Sequence, residues 1–404
     1  MRVLFVSPYV PSRIRVRPYE WIKALAGLGC HVHLVALRPP EDAQLGDGDI
    51  RDACGAFEVF PLSRVRTLTN AVRALVSAVP LQAAYSRHPA AEARIRALVA
   101  GELFDVVHIE HLRGSLLVPF PSPRPTVYDA VDCITRLFEQ TVRLAPGARQ
   151  RALARLDLAR TRRFESAAVT RFDRLVVSSE AEAEAFRSLA GADAAAGRVH
   201  AIGNGVDSGP PPAAACDDGR TVLFAGKLSY HANEAAARRL IDAVMPRVWT
   251  RRPDARLIVA GLNPSRALQA MAVPGRIAVP GYVEDLRGLM QRATVLAAPL
   301  VYAAGIQNKV LEAMASGTPV ITSPSACAAL DATIGTDVVS AGTDDAFADR
   351  IVELLDDRSR RDAIGRAGRA AVVARHDWRD RARALVDVYG EAIAARGGTV
   401  PSPR

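Results

Sequence analysis

The chain has 404 residues, of which 49% are hydrophobic, 24% charged and 5% aromatic, and it carries a formal net charge of +9. This excludes collagen-like, coiled-coil and wholly disordered chains, and the length suits two or three domains. The basic excess is evenly spread: residues 1–207 hold 27 basic and 22 acidic side chains and residues 208–404 hold 25 and 21, which with so few aromatics counts against a nucleic-acid partner.

Val3–Ser7 reads as the first strand, and its short apolar run before Ser7-Pro8 is too brief for a signal-peptide core. Pro18–Leu28 reads as a helix with proline in its first turn and Gly29 after its end. Strands are expected at Val32–Leu37, Phe104–Ile109, Thr126–Asp129, Arg174–Ser178 and Val199–Ile202, with Ala-, Leu- and Arg-rich helices between them. Residues 70–85 are amphipathic and read as a core helix, with an acceptor platform as the alternative. Residues 149–163 carry six arginines, with Leu153, Leu156 and Phe164 at helical spacing. They read as a solvated helix face, with a membrane-surface role as the alternative.

A Pro/Gly-rich stretch at 208–219 reads as a linker. Alternation then restarts with Thr221–Ala225, a helix over 233–249, Arg256–Ala260, a helix near 284–291, Thr294–Ala297, a helix Lys309–Ser316 and Pro319–Thr322, and residues 344–395 read as mostly helical. Unbroken Val/Ile/Leu strands between helices predict an α/β fold of two doubly wound, Rossmann-like domains, with ligands at the carboxyl ends of the strands. No uncharged apolar run reaches the roughly 18 residues that a spanning helix needs. The five cysteines (Cys30, Cys54, Cys133, Cys216 and Cys327) are odd in number and lack metal-ligand spacing, which disfavours zinc and a disulfide framework and suits a reduced, cytoplasmic compartment.

Most of the chemistry lies in Pro299–Pro324. A strand ends at Pro299, Ala304-Gly305 allows close backbone approach, and Ile306-Gln307-Asn308 leads into a helix carrying Lys309 and Glu312. A helix N-terminus after a small-residue loop suits a phosphate, and a lysine in the first turn is locally unfavourable unless an anion binds there. The alternative is an ordinary surface helix with Lys309 and Glu312 paired one turn apart. Only three of the 52 cations are lysines, and Lys227 follows another strand end, after Gly226, while Lys23 lies on the first helix. Gly226-Lys227 is not a P-loop, since Thr221 and Leu228 stand where that motif requires glycine and Ser/Thr.

Glu312-Ala313-Met314-Ala315-Ser316-Gly317-Thr318-Pro319-Val320 closely resembles the donor-binding signature of glycosyltransferase family 4, retaining enzymes of the GT-B fold. Asn204-Gly205-Val206-Asp207, Leu223–Leu228, Ala255–Pro264 and Gly281-Tyr282-Val283-Glu284-Asp285 resemble further landmarks of that family in order. The resemblance implies two domains facing a deep cleft: 1–207 for the acceptor, 220–378 for a nucleotide sugar, and a helix over 379–404 packing back on the first domain. It implies Glu312 at the nucleotide ribose, Lys227 and Lys309 at the diphosphate, and Tyr282 and Val283 at the base through backbone groups. Gly226, Asn204 and residues 305–308 complete the donor set. The family's first signature glutamate, which contacts the transferred sugar, falls at Ala304 here.

In the first half, Arg13, Arg15 and Arg17 replace the family's glycine loop and are expected to meet phosphates or an anionic acceptor, or else to form a basic loop. Glu110 and His111 are delivered to a strand end, where a family histidine touches the donor sugar. Asp129 and Asp132 are expected to orient an acceptor hydroxyl or to cap a helix. The implied activity is transfer of a sugar from a nucleoside diphosphate sugar to a sugar, lipid-linked or small-molecule acceptor, with retention. It needs no metal and no cofactor beyond that co-substrate. Bacterial cell-surface polysaccharide or natural-product glycoside synthesis is the expected setting, with peripheral contact to the inner membrane face as an alternative location. A GT-B sugar-nucleotide epimerase and a non-catalytic GT-B subunit are the competing readings.

Overall fold

A computed structural model describes residues 1–42, 46–101, 104–144, 147–209, 217–300 and 306–400. They form two compact units, Met1–Asn204 joined by the segment from Trp378, and Gly205–Asp377. Residues 210–216 of the expected linker lie outside the described residues.

The first unit is built on seven parallel strands: β1 (Arg2–Ser7), β2 (His31–Arg38), β3 (Ala56–Pro61), β4 (Val106–Glu110), β5 (Thr126–Val131), β6 (Arg174–Val177) and β7 (Val199–Ala201), in the order β3-β2-β1-β4-β5-β6-β7. Register places Val3 beside Val32 on one side and Val106 on the other. The β4 residues are buried throughout, because helices cover both sheet faces and leave no wet side for polar alternation. The second unit repeats the plan with β8 (Thr221–Ala225), β9 (Arg256–Ala260), β10 (Ile277–Gly281), β11 (Val295–Ala298), β12 (Val320–Thr322) and β13 (Val339–Ser340), in the order β10-β9-β8-β11-β12-β13. Both are the doubly wound α/β units expected from the sequence.

Three strands escape the sequence pattern, namely β3, β10 and β13, and each lies at a sheet edge. An edge strand is paired on one side only, so polar and turn-forming residues are tolerated there, such as Glu58 and Pro61 in β3 and Pro280 in β10. The helix expected over 233–249 runs as His231–Arg239, a wider π turn at Leu240–Val244, and Met245–Trp249. Pro246 explains the change, since it has no N–H to give and its ring clashes with the carbonyl four residues back.

The helix Trp378–Ala394 packs in the first unit, where Trp378 meets Trp21 edge-on at 5.2 Å and Tyr389 Oη lies 2.8 Å from His108 Nδ1. Nearby, Arg17 joins three parts of this unit. From the first turn of the helix Val16–Gly27 its guanidinium donates to both Asp129 oxygens, at 2.8 and 3.1 Å, to the Ile202 carbonyl at 3.0 Å and to Asn204 Oδ1 at 2.7 Å. Trp21 Nε1 and the Val131 N–H also donate to Asp129, at 3.0 and 3.1 Å. Breaking a buried, fully hydrogen-bonded pair strands the surviving charge. Asp129→Ala is therefore expected to lower unfolding free energy by about 3–5 kcal/mol, measured by urea denaturation.

Candidate functional site

In a doubly wound sheet the chain leaves the central strands towards opposite edges, and a crevice opens at their carboxyl ends. In the second unit those strands are β8 and β11. The loop after β8 begins Gly226-Lys227, and the helix following β11 is Asn308–Ala315.

β8 and β9 both run into an Ala-Gly pair, and the two glycines touch. A Cβ on Gly261 would sit 1.6 Å from the Gly226 carbonyl oxygen, and one on Gly226 would sit 3.0 Å from Lys309 Cε. Both glycines hold φ near +150°, at +152° and +149°, a region other residues rarely adopt. The Gly226 N–H donates to the Ala260 carbonyl at 3.1 Å, the Leu228 N–H to Leu262 at 2.8 Å and the Gly261 N–H to Gly281 at 2.8 Å. Asn233 Nδ2 donates to the Lys227 carbonyl at 3.0 Å. Three strand-end loops are thus bound into one surface beneath Lys309.

Lys309 is only 9% exposed, and its Nζ donates to Gln307 Oε1 at 3.1 Å. Burial pulls its pKa down to about 8, with Glu312 opposing, and burial pushes Glu312 up to about 7, with Lys309 opposing. Gln307 stands at the N-cap position, yet its side-chain oxygen serves Lys309 rather than capping the helix. A buried cation at a helix N-terminus is suited to an incoming anion. Lys227 is exposed on its loop, Tyr282 is 65% exposed, and Val283 and Ile306 pack against the core. The structure therefore brings Gly226, Gln307, Lys309 and Glu312 close together, with Ile306 next to Gln307 in the chain. Ala304 and Gly305 lie outside the described residues.

The central strands of the first unit are β1 and β4. Here several expectations change. Arg17 is buried and fully engaged with Asp129, Ile202 and Asn204, so it does not face a phosphate. Arg13 pairs with Asp49 at 3.2 Å and Arg15 with Asp42 at 3.4 Å, the latter also lying over the Tyr9 ring at 4.5 Å. Asp129 is wholly buried with its oxygens occupied, so it does not orient an acceptor hydroxyl. Glu110 is wholly buried too, with Tyr9 Oη donating to it at 3.3 Å, and burial with the neighbouring Asp129 raises its pKa far above the usual carboxylate range. Burial therefore favours its protonated form. Asn204, expected at the donor, has its carboxamide oxygen committed to Arg17.

His111 and Asp132 remain at strand ends with polar capacity. His111 adopts a φ of +62°, which turns the chain sharply after β4, and its Nδ1 accepts the Arg113 N–H at 3.2 Å. Burial together with Arg113 and Arg15 lowers its pKa to about 3, so the ring is neutral and carries its proton on Nε2 as a donor. Asp132 accepts from Ser178 Oγ at 3.0 Å, and burial with Glu182 raises it to about 6. Positive φ at His111 and at Val131 (+67°) places backbone strain at two adjacent strand ends. His108, Glu110 and Asp129 hold ligand atoms within 4.8 Å of one another. However, the Arg17 guanidinium already neutralises Asp129 and Glu110 keeps its proton, so this donor set does not favour a cation.

Sequence reasoning does not single out Gly261 or the pinning role of Asn233. The repeated Ala-Gly after two strands is the signal available for the first, while the second depends on a contact that only folding makes.

Two family descriptions match the chain: "Glycosyltransferase Family 4" over residues 15–209 and "Glycosyl transferases group 1" over residues 219–357. The chain is 33% identical over 156 residues to a GDP-mannose-dependent monoacylated alpha-(1-6)-phosphatidylinositol monomannoside mannosyltransferase of Corynebacterium glutamicum, covering 36% of this chain and 41% of that protein. It is 32% identical over 189 residues to a phosphatidyl-myo-inositol mannosyltransferase of Mycobacterium leprae, covering 45% and 49%. The chain thus spans about half the length of the curated relatives it matches. Among solved structures, sucrose-phosphate synthase from Thermosynechococcus elongatus superposes with a TM-score of 0.74 at 19% identity over 98% of this chain and 99% of that one. Anabaena HepE in complex with UDP-glucose gives 0.66 at 16% identity over 96% and 98%.

The charge state of Lys309 makes the crevice pH-sensitive. Below about pH 8 the lysine keeps its proton, so affinity for inorganic pyrophosphate is expected to fall as pH rises through about 8, measured by titration calorimetry. Glu312→Gln removes the carboxylate that holds the lysine's pKa up, so the inflection should move to lower pH.

Proposed function

We propose that this chain, which has the GT-B fold and resembles glycosyltransferase family 4, transfers a sugar from a nucleoside diphosphate sugar to an acceptor hydroxyl. The observation that carries this reading is the crevice of the second unit, where buried Lys309 lies over Gly226 at a helix N-terminus with Glu312 one turn further on. Lys309, Lys227 and the Asn308–Ala315 N-terminus contact the diphosphate, and Glu312 accepts hydrogen bonds from the ribose hydroxyls. Tyr282 and Val283 border the base.

The bond between the anomeric carbon and the phosphate oxygen breaks, and the acceptor oxygen bonds to that carbon. Negative charge develops on the leaving diphosphate, where a fixed cation and aligned N–H groups stabilise it without reorganising. In the retaining course the acceptor proton passes to the departing phosphate oxygen on the same sugar face, so no protein carboxylate serves as base. In the first unit, His111, a neutral Nε2–H donor, and Asp132 are the groups available to a sugar or acceptor hydroxyl.

No resident metal or organic cofactor is invoked, since the two lysines supply the cationic charge at the leaving group. The mannosyltransferase relatives are named for phosphatidylinositol-type acceptors. For this chain the acceptor class is a sugar, lipid-linked or small-molecule hydroxyl. The proposed setting is the cytoplasm of a bacterium assembling surface polysaccharide or a glycosylated natural product. Among the described residues, no helix is long and apolar enough to cross a membrane.

A thermal-shift screen against UDP, GDP, dTDP and their sugars identifies the donor, because a ligand that binds the folded state raises its melting temperature. With that donor, Lys227→Ala and Lys309→Ala are each expected to lower turnover by about 10²–10³-fold. Unchanged turnover in both would remove the phosphate contact from the mechanism. Glu312→Gln should weaken donor binding by about tenfold or more, as loss of a charged hydrogen bond does. Ala304→Glu should change sugar selectivity or rate.

A further inference from the structure

The helix Ile134–Leu144 starts two residues after Asp132, beyond the carboxyl end of β5. The Cys133 carbonyl accepts its first hydrogen bond, from the Leu137 N–H at 3.1 Å, so Cys133 is the N-cap residue. A thiol is a weak acceptor and caps poorly, and here Sγ donates to Glu165 Oε2 at 3.5 Å. The free N–H groups of the first turn are taken instead by two acids from other helices. Glu165, on Ala148–Arg171, accepts from the Ile134 and Thr135 N–H groups, both at 2.8 Å. Glu182, on Glu180–Ala190, accepts from the Cys133 N–H at 2.7 Å and from Arg136 Nη1 at 2.6 Å. Both acids are wholly buried.

This way of capping takes two carboxylates out of water, although a Ser, Thr or Asn at position 133 would serve the helix locally. Asp132, beside the turn, does not cap either. Its N–H donates to the Ala130 carbonyl at 2.9 Å, after the positive φ of Val131 (+67°), and its Oδ1 accepts from Ser178 Oγ at 3.0 Å. The imported acids thus leave the Asp132 carboxylate unused by the helix, on a half-buried residue. Glu182 also sets a negative charge against it. Burial and Glu182 raise the Asp132 pKa to about 6, Asp129 on β5 adds to the rise, and Ser178 and Arg17 oppose it.

We propose that Glu165 and Glu182 are positioning residues of the acceptor side, capping Ile134–Leu144 so that the Asp132 carboxylate is held for an acceptor hydroxyl. The inference deepens the transferase reading and rests on it, with Asp132 as the group that meets the acceptor. Glu165 fixes the turn after Asp132 through two backbone N–H groups. Glu182 fixes the same turn through the Cys133 N–H and, through its charge, sets the pH at which Asp132 ionises. Neither acid touches a substrate. A helix that needs only a cap does not explain acids brought in from 30 to 49 residues away. The same contacts fill this helix N-terminus with protein carboxylates, so the acceptor presents a neutral hydroxyl here and not an anion.

The test is turnover by the full chain of the nucleotide sugar chosen in the thermal-shift screen, with octyl α-mannoside, octyl β-glucoside and water as acceptor probes. The rate read is kcat/KM for the glycosides and kcat for water. In the wild type it is expected to fall as pH drops through about 6, and Asp132→Asn should remove that fall. Glu165→Gln and Glu182→Gln should each lower the rate by about tenfold or more, with the nucleotide dissociation constant unchanged. Glu182→Gln should also move the fall to lower pH, because a negative charge facing Asp132 is gone. Glu182→Asp keeps that charge and should leave the fall where it is in the wild type, which serves if the glutamine variant does not fold. Variants that melt earlier yet match the wild type in rate and pH dependence would overturn the proposal, as would a fall that Glu182→Gln does not move or that survives Asp132→Asn. Turnover absent from the wild-type chain itself would overturn the transferase reading and this inference with it, an outcome distinct from variants that turn over normally.

Discussion

A parallel sheet wrapped by helices on both faces has no wet face, and this constraint orders the rest of the molecule. Side chains that project from the middle of a strand are buried whichever way they point, so polar chemistry collects where strands end and the backbone turns. In each unit the central strands send the chain towards opposite edges, and the crevice beside them is the one place where loops diverge. Gly226, Lys227 and Lys309 all stand at such ends. The Gly226–Gly261 contact follows from the same constraint: adjacent loops leaving adjacent strands must pass within backbone distance, and a Cβ would prevent it.

Electrostatics then separates groups that look alike in a list of residues. In the first unit, charged groups near strand ends are largely bound to one another. Arg17 and Asp129 form a buried bidentate pair that joins the first helix to β5 and the end of β7, and Glu110 is held as an uncharged interior acid. In the second unit Lys309 and Glu312 are also buried, but the lysine donates its hydrogen bond to the neutral Gln307 amide, and each group is shifted towards its uncharged form. A pair with its charges mutually satisfied is structural, whereas a cation held short of charge partners is prepared for an anion.

The same contrast holds on the surface. Many exposed arginines sit beside an acidic residue, such as Arg247 with Asp345, Arg251 with Asp349 and Arg252 with Asp356. Exposed pairs of this kind contribute little to stability and mainly keep the surface wet and mixed in charge. The segments around Arg64–Leu75 and Leu153 depart from that rule, with arginine and apolar side chains side by side and no acid among them.

Much of the fold and half of the candidate site were legible in the sequence. Central strands, their alternation with helices, the break near residue 208, and the lysines at two strand ends are local patterns, set by burial on both faces and by what a turn permits. Three of the four edge strands, β3, β10 and β13, were missed because single-sided pairing relaxes that pattern. The fates of Arg17, Asp129 and Glu110 were not legible, since Arg17 and Asp129 meet across 112 residues and only folding decides which charges reach each other. Nor was it legible that the apolar stripe of Arg64–Leu75 would face outward. Periodicity tells that a helix has an apolar side, but what covers that side depends on which element arrives from elsewhere in the chain, and among the described residues none covers this stripe.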